Sequence, residues 1–383
     1  CRGPAVRRSS SFRFVEFAAR VAVWWPMTEA VTLEVCENGL AVVTIDRPKA
    51  LNAASVKMCQ DLRAILDQIK GRQEEVKAVL LQGAGERPCF CSGGDVKALH
   101  GFLTADPSTA VPKDQMRQEY NAIAQLSALP QPTVALMNGI TMGFGIGLGA
   151  IARYGVATEK SRLAMPENNI GLFPDAGFAY LAANKLAPGV GRLMALTGCH
   201  LIGAGDVLAA KLATHYVPLE DLPKLVEEDL KKANLRENAD AAIKACLDGR
   251  CKAAPERTLL NDDLLDKFAK LTAAADARKM LDDMKAADLL KELDKGSPFC
   301  QAVVFKLLTL AEAECLADSA RLSTALERDF ATACRVMYRP DFVEGLRAVL
   351  VDKGQNGPPK WAAFNEADVE AAIVALPMGE GLF

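Results

Sequence analysis

Twenty consecutive residues of this chain, Thr133 to Ala152, carry no charge: TVALMNGITMGFGIGLGAIA. A run of that length either crosses a bilayer or lies in the core of a folded domain. Gly143 and Gly147 stand in the GxxxG spacing of membrane helix pairs. Against a membrane span, no other segment of the 383 residues resembles it. Its five glycines and Asn138 suit a strand, then a turn, then the start of a helix. We therefore read it as a buried strand–turn–helix and expect no membrane partner.

The flanking sequence has the same grammar. VTLEVCENGLAVVTI, Val31 to Ile45, reads as two strands about an Asn38-Gly39 turn. Asp46 to Ala53 is a loop, and Ser55 to Lys70 places Met58, Leu62, Ile65, Leu66 and Ile69 on one helical face. Val76 to Gly83 is a buried strand, GERPCFCSGGDVKAL a loop running into a helix, and Lys113 to Leu129 a further helix. Strands follow near Gly155 to Thr158 and Leu163 to Met165. Repeated strand and helix in this order predict an α/β fold. From Leu219 to Lys295 the composition becomes charged, alanine- and leucine-rich and nearly free of glycine, predicting amphipathic helices. That stretch reads as a solvated helical lid, with a contact surface as the alternative. One long helix is expected from Ser297 to about Met337. The divisions are residues 1–26, 27–218, 219–296 and 297–383.

Composition narrows the function. Acidic and basic residues are interleaved and nearly balanced, with a net charge of −3, so no nucleic-acid footprint is present. Eleven cysteines lie at irregular positions. Cys89 and Cys91 are too close for zinc spacing, and Cys246 and Cys251 have no matching second pair. They read as reduced thiols, with no metal. Residues 1–26 carry Arg2, Arg7, Arg8, Arg13 and Arg20, three serines in a row and a single acid, Glu16. That is transit-peptide composition. A disordered extension, or untranslated sequence ahead of Met27, stays open.

Several motifs fail on inspection. Gly145 to Ala150 fits GxGxxA, but its strand ends several residues early for a dinucleotide turn. No P-loop or GxSxG elbow exists, and three histidines do not build a triad. Two glycine turns remain, Ser92-Gly93-Gly94-Asp95 and Gly143-Phe144-Gly145, each after an apolar strand and before a helix. N–H groups freed at two converging helix starts would make an oxyanion hole. Glu167 and Asp175 sit eight residues apart among Met165, Ile170, Leu172 and Phe173. Buried there, their pKa values would rise into the range useful for proton transfer. Alternatively, Pro-Glu and Pro-Asp are ordinary turn dipeptides on a surface.

TIDRPKALNA, CFCSGGDVKAL, VALMNGITMGFGIGLG and ATEKSRLAMPENNIGLFPDAGFAYL together resemble the enoyl-CoA hydratase/isomerase (crotonase) superfamily. The likeness runs from about Thr32 to Trp361 and favours its branch of 3-hydroxyisobutyryl-CoA hydrolases. The resemblance implies a crotonase-like spiral of ββα units with a C-terminal helical region. It implies an acyl-CoA thioester substrate, with coenzyme A as part of that substrate and no separate cofactor. It puts the thioester oxygen on the N–H groups of Gly94 and Phe144, with Gly93, Asp95 and Gly143 beside them. It assigns catalytic roles to Glu167 and Asp175 and an acyl contact to Glu119. Arg47, Lys49, Ala50, Asn52 and Lys97 would hold the CoA nucleotide and phosphates. Hydratases carry another glutamate where this chain has Gly147, and glycine where it has Asp175; that exchange favours hydrolysis, as in valine breakdown.

Phe144 and Phe178 replace family glycines, so crowding of the thioester is an expectation to test. Two other readings remain: an enoyl-CoA hydratase or isomerase, and a non-catalytic relative in an organellar assembly such as the mitochondrial ribosome. The transit-like composition and the C-terminus make the mitochondrial matrix the expected compartment, with cytoplasm or peroxisome as alternatives, and the resemblance allows a homo-oligomer. The ending MGEGLF is no peroxisomal tripeptide.

Overall fold

The computed structural model describes residues 30–377 and 379–383. The transit-peptide reading of residues 1–26, and Met27, lie outside the described residues. Among the described residues, ten strands form two sheets. The larger has the order β1 (Val31–Val35), β2 (Leu40–Ile45), β3 (Ala78–Gly83), β5 (Thr133–Met137), β7 (Tyr154–Ala157) and β10 (His215–Tyr216). The smaller has the order β4 (Cys89–Cys91), β6 (Ile140–Met142), β8 (Arg162–Ala164) and β9 (Leu201–Ile202). Only the β1–β2 and β8–β9 pairs are antiparallel among the described residues.

The chain visits the sheets alternately: β3 then β4, β5 then β6, β7 then β8. Each visit pairs parallel with the one before it, so the path advances by one strand spacing per turn. Helices α1 (Val56–Gly71), α2 (Val96–Ala105), α3 (Val111–Ser127) and α4 (Phe144–Ile151) connect the turns, followed by α5 (Phe178–Asn184), α6 (Val190–Thr197) and α7 (Gly203–Ala209). This is the expected α/β spiral. Ser55 caps α1, its hydroxyl accepting from Met58 N–H at 3.2 Å, one of the four donors a helix start leaves free.

The uncharged run from Thr133 to Ala152 becomes β5, a turn, β6 and α4. No helix among the described residues is long and apolar enough to cross a membrane. Cys89 to Cys91, expected as loop, and Thr141, expected as turn, lie in the short strands β4 and β6, three residues each. Strands that short show no alternation to detect.

The larger sheet is apolar on both faces. Ala41, Val43, Val79, Leu81, Ala135 and Met137 face the main core. Leu40, Val42, Ala78, Leu80, Val134 and Leu136 face a second one, closed by Leu222, Leu225, Val226, Leu230, Leu235, Ile243 and Leu247. The charged stretch is thus not a solvated lid, as its composition suggested. Its apolar stripe covers the outer face of the sheet, and only the opposite stripe is solvated. Further on, Leu264, Phe268, Leu281 and Leu293 pack into the main core. The single helix expected from Ser297 is two, Pro298–Leu316 and Leu322–Val336. They break where Asp318 turns left-handed, at φ 51°. All ten cysteines in the described residues are free thiols.

Candidate active site

Because β4 and β6 are parallel neighbours, the turns at their C-terminal ends emerge side by side. Gly93 and Gly143 adopt φ of 103° and 50°, a region L side chains avoid. They also abut: a Cβ on Gly143 would lie 3.6 Å from Gly93 Cα, and a Cβ on Gly93 would lie 3.3 Å from Met142 O. Gly94 precedes α2, and Phe144 opens α4. Ala54 N–H bonds to Gly93 O and Asp95 N–H to Ala54 O, both at 2.8 Å. These bonds fix the first turn while skipping Gly94. Among the described residues, neither the Gly94 nor the Phe144 N–H donates to any group. Two free donors thus adjoin one cleft of about 260 Å³, which both residues line.

Three carboxylates enter that cleft. Glu167 opens a short 3-10 turn after Pro166 and is 8% exposed. Its Oε1 lies against the second glycine turn, 2.6 Å from where a Gly143 Cβ would be. Its Oε2 is buried with no hydrogen-bond partner among the described residues. Glu119, on α3, has its Oε1 2.6 Å from where a Gly94 Cβ would be and accepts from Gln115 Nε2. Asp175, 4% exposed, accepts from the hydroxyl of Tyr120 at 2.5 Å. The surface-turn alternative for Glu167 and Asp175 is thereby set aside: both are inside.

The burial has electrostatic consequences. It pushes Glu167 well above the usual carboxylate range, and the charges of Asp175 and Glu119 push it further. Glu119 rises well above that range for the same first reason. Burial lifts Asp175 to about 6, although the Tyr120 hydroxyl and its own backbone oppose the rise. The charge of Asp175 acts directly on Glu167, so the two titrate as a pair.

Gly147 shows why the acids sit where they do. A Cβ there would lie 2.6 Å from Ile123 Cδ1 and 2.8 Å from Ala176 O. The turn carrying Asp175 occupies the volume a side chain at 147 would need. Phe144 and Phe178, each 1% exposed, belong to the main core. Phe144 also lines the cleft, and its N–H stays free. The GxGxxA stretch lies inside buried α4, where a Cβ at Gly145 would collide with Cys91 O; no phosphate can reach that backbone.

The outer loop is mixed. Lys49 and Lys97 are exposed and form no ion pair among the described residues. Arg47 is committed, pairing with Asp95 at 3.0 Å and donating to Ala53 O. Ala50 is held in the turn, its N–H on Arg47 O at 2.9 Å. Asn52 corrects the ligand reading of its side chain. It is wholly buried, accepting from Arg47 N–H and donating to Ala84 O and Cys89 O. Its amide braces the loop, with no free group for a ligand.

Sequence reading missed three contributors. Tyr120 follows Glu119 on the buried face of α3, and that neighbourhood was a usable signal. Val349 and Leu350, in the π-helical turn Arg347–Val351, line the cleft from the far end of the chain. Nothing in their local sequence marks them.

The family model described as Enoyl-CoA hydratase/isomerase matches residues 40–376. The mitochondrial 3-hydroxyisobutyryl-CoA hydrolase of Gallus gallus is 35% identical over 346 residues, 87% of this chain and 85% of that protein. The same enzyme of Rattus norvegicus is 34% identical over 351 residues, 89% of this chain and 87% of that protein. Among solved structures, a carnitinyl-CoA dehydratase from Mycobacterium thermoresistibile superposes with a TM-score of 0.78. It is 30% identical, covering 93% of this chain and 99% of that one.

Proposed function

The chain belongs to the enoyl-CoA hydratase/isomerase family, and from that premise we propose that it is a CoA thioester hydrolase acting on 3-hydroxyisobutyryl-CoA, an intermediate of valine breakdown. The observation that carries this reading is the pairing of two free N–H groups with a buried carboxylate oxygen that has no partner. A thioester carbonyl supplies what the donors lack, and an attacking water supplies what Glu167 Oε2 lacks. The names of the curated relatives support the acyl group and a mitochondrial location. We extend the latter to the matrix.

The chemistry follows from the arrangement. The thioester oxygen accepts from Gly94 and Phe144 N–H, which stabilise the negative charge that forms when the carbonyl carbon becomes tetrahedral. One such donor is worth roughly a hundredfold or more in rate. Ionised Glu167 takes a proton from water as the water adds, or adds to the carbonyl itself. On the first route the carbon–sulfur bond breaks as that proton passes from Glu167 to the departing sulfur; on the second it breaks to expel the CoA thiolate and leave a mixed anhydride, which water opens, one of its protons going to the thiolate and the other leaving with the product acid. Asp175, ionised and fixed by Tyr120, accepts the 3-hydroxyl of the acyl group. Glu119, whose carboxyl burial pushes well above the usual range, lines the same cleft within reach of that group. Lys49 and Lys97 offer cations to the CoA phosphates.

Hydration of an enoyl thioester is the rival within the family. It draws on a second glutamate in the helix after the second glycine turn, where this chain has Gly147 and no room for a side chain. The test is thiol release from 3-hydroxyisobutyryl-CoA, followed with a thiol reagent. Wild-type protein should release CoA and Glu167→Ala should lose about 10²- to 10⁴-fold. Undiminished turnover in Glu167→Ala removes the proposal.

A further inference from the structure

The helix Leu322–Val336 takes no part in the chemistry above, yet it sends a carboxylate into the acid cluster. Asp329 is 2% exposed, and its Oδ2 accepts the Gly177 N–H at 2.8 Å. Gly177 ends the turn Asp175-Ala176-Gly177, in which Ala176 and Gly177 both adopt positive φ, 57° and 77°. An alanine in that region is strained and persists only where its surroundings hold it. Here the turn is held from two sides. Tyr120, from α3, bonds the Asp175 side chain, and Asp329, 152 residues beyond the turn, bonds the Gly177 backbone. Leu322 and Leu326 of the same helix would lie 3.0 and 3.5 Å from a Cβ on Gly177, so the helix is seated directly on the turn.

We propose that Asp329 is a positioning residue for Asp175: by capturing the Gly177 N–H it locks the left-handed turn and aims the Asp175 carboxylate at the acyl group. This rests on the reading of Asp175 as the acid that meets the 3-hydroxyl. The ionisable groups facing Asp329 are Asp175 ahead of α5, Tyr120 on α3 and Arg328 on its own helix, which is occupied by Glu314. Burial pushes the Asp329 carboxyl well above the usual range, and the charge of Asp175 pushes it further.

The test compares Asp329→Asn, which keeps a carbonyl acceptor for Gly177, with Asp329→Leu, which keeps the volume and loses the acceptor. Two quantities are read: kcat/KM for 3-hydroxyisobutyryl-CoA against isobutyryl-CoA, and the titration of the Asp175 carboxyl carbon by NMR, assigned with Asp175→Asn. Misaiming a group by about 1 Å costs on the order of a hundredfold. Asp329→Leu should therefore lose about ten- to a hundredfold on the hydroxylated thioester, far less on the unsubstituted one, and shift the Asp175 titration. Asp329→Asn should recover most of both. Equal loss on both substrates, equal behaviour of the two variants, or an Asp175 titration unmoved in Asp329→Leu overturns the proposal. If Asp329→Leu yields no folded protein, Asp329→Ser, too short to reach Gly177, takes its place. Absence of thiol release by wild-type protein would refute the hydrolase reading, while the carboxyl titration would still decide the positioning role.

Discussion

Asp175→Asn should make the protein more stable and less active, and the structure sets the size of the trade. Burial lifts the Asp175 carboxyl from its ordinary 3.8 to about 6. At about 1.4 kcal/mol per pH unit, that gap is worth about 3 kcal/mol. Its sign follows from proton binding. The folded chain holds this proton more tightly than the unfolded chain, so below about pH 4 both are protonated and nothing is lost. Between pH 4 and 6 the unfolded chain releases its proton first and stability declines. Above pH 6 the folded chain carries the charge in an apolar cleft and the full cost is present. Asparagine has the same shape, still accepts from the Tyr120 hydroxyl and carries no charge at any pH. Denaturant unfolding of the variant at pH 8 should therefore exceed wild type by about 3 kcal/mol, with the gap closing towards pH 4. Over the same range thiol release should fall by about a hundredfold. Equal stability at pH 8, or an advantage as large at pH 4 as at pH 8, would refute the placement of a raised carboxylate at the centre of the site.

Three further outcomes follow from the same geometry. Tyr120→Phe removes the hydroxyl that holds the Asp175 pKa down, so the acidic limb of the kcat/KM profile should move to higher pH, with activity falling at pH 7 and recovering near pH 9. Gly147→Glu should not convert the protein into a hydratase: forced against Ala176 O and Ile123, it should destabilise by about 1–3 kcal/mol in thermal unfolding and leave enoyl-CoA absorbance unchanged. Leu350→Ala enlarges the cleft wall at the π-helical turn, and kcat/KM across an acyl-CoA series should shift towards longer chains by about ten-fold per added methylene at most.

How legible this was in the sequence depended on how local the signal was. The hairpin at Asn38-Gly39, the helix after Ser55 and the strands at Val76 and Thr133 follow from turn chemistry and periodicity within a few residues. The glycine turns were visible because each stands between an apolar strand and a helical pattern. That they meet was not, since their meeting depends on β4 and β6, three-residue strands with no pattern of their own. The acids showed a similar division. Pro-Glu and Pro-Asp fit a surface turn as well as a cleft, and only the fold buries them. Arg47 and Asn52 carried ligand roles through the family resemblance alone. Here the Asn52 side chain satisfies the backbone of Arg47, Ala84 and Cys89, and the Arg47 side chain that of Ala53, a structural use that composition cannot distinguish. Charge misled in the segment from Leu219, where the solvated stripe dominates the letters and the buried stripe closes a sheet.

The exchange of Gly147 for an acid at 175 is a change of backbone as much as of side chain. Gly147 leaves a hollow on α4, and Ala176 fills it with main chain. To enter the hollow the chain takes two left-handed residues in succession, which an isolated loop would relax. Tyr120 and Asp329, one on each side, hold what the loop itself would not. The four positions are physically linked: an acid at 147 needs Ala176 gone, Ala176 needs the strained turn, and the turn needs partners from α3 and from the helix Leu322–Val336. A single substitution at either acid position can therefore destroy the activity without creating the other one. On the hydrolase reading proposed above, the acid at 175 is held in place by the C-terminal helix Leu322–Val336 as well as by α3.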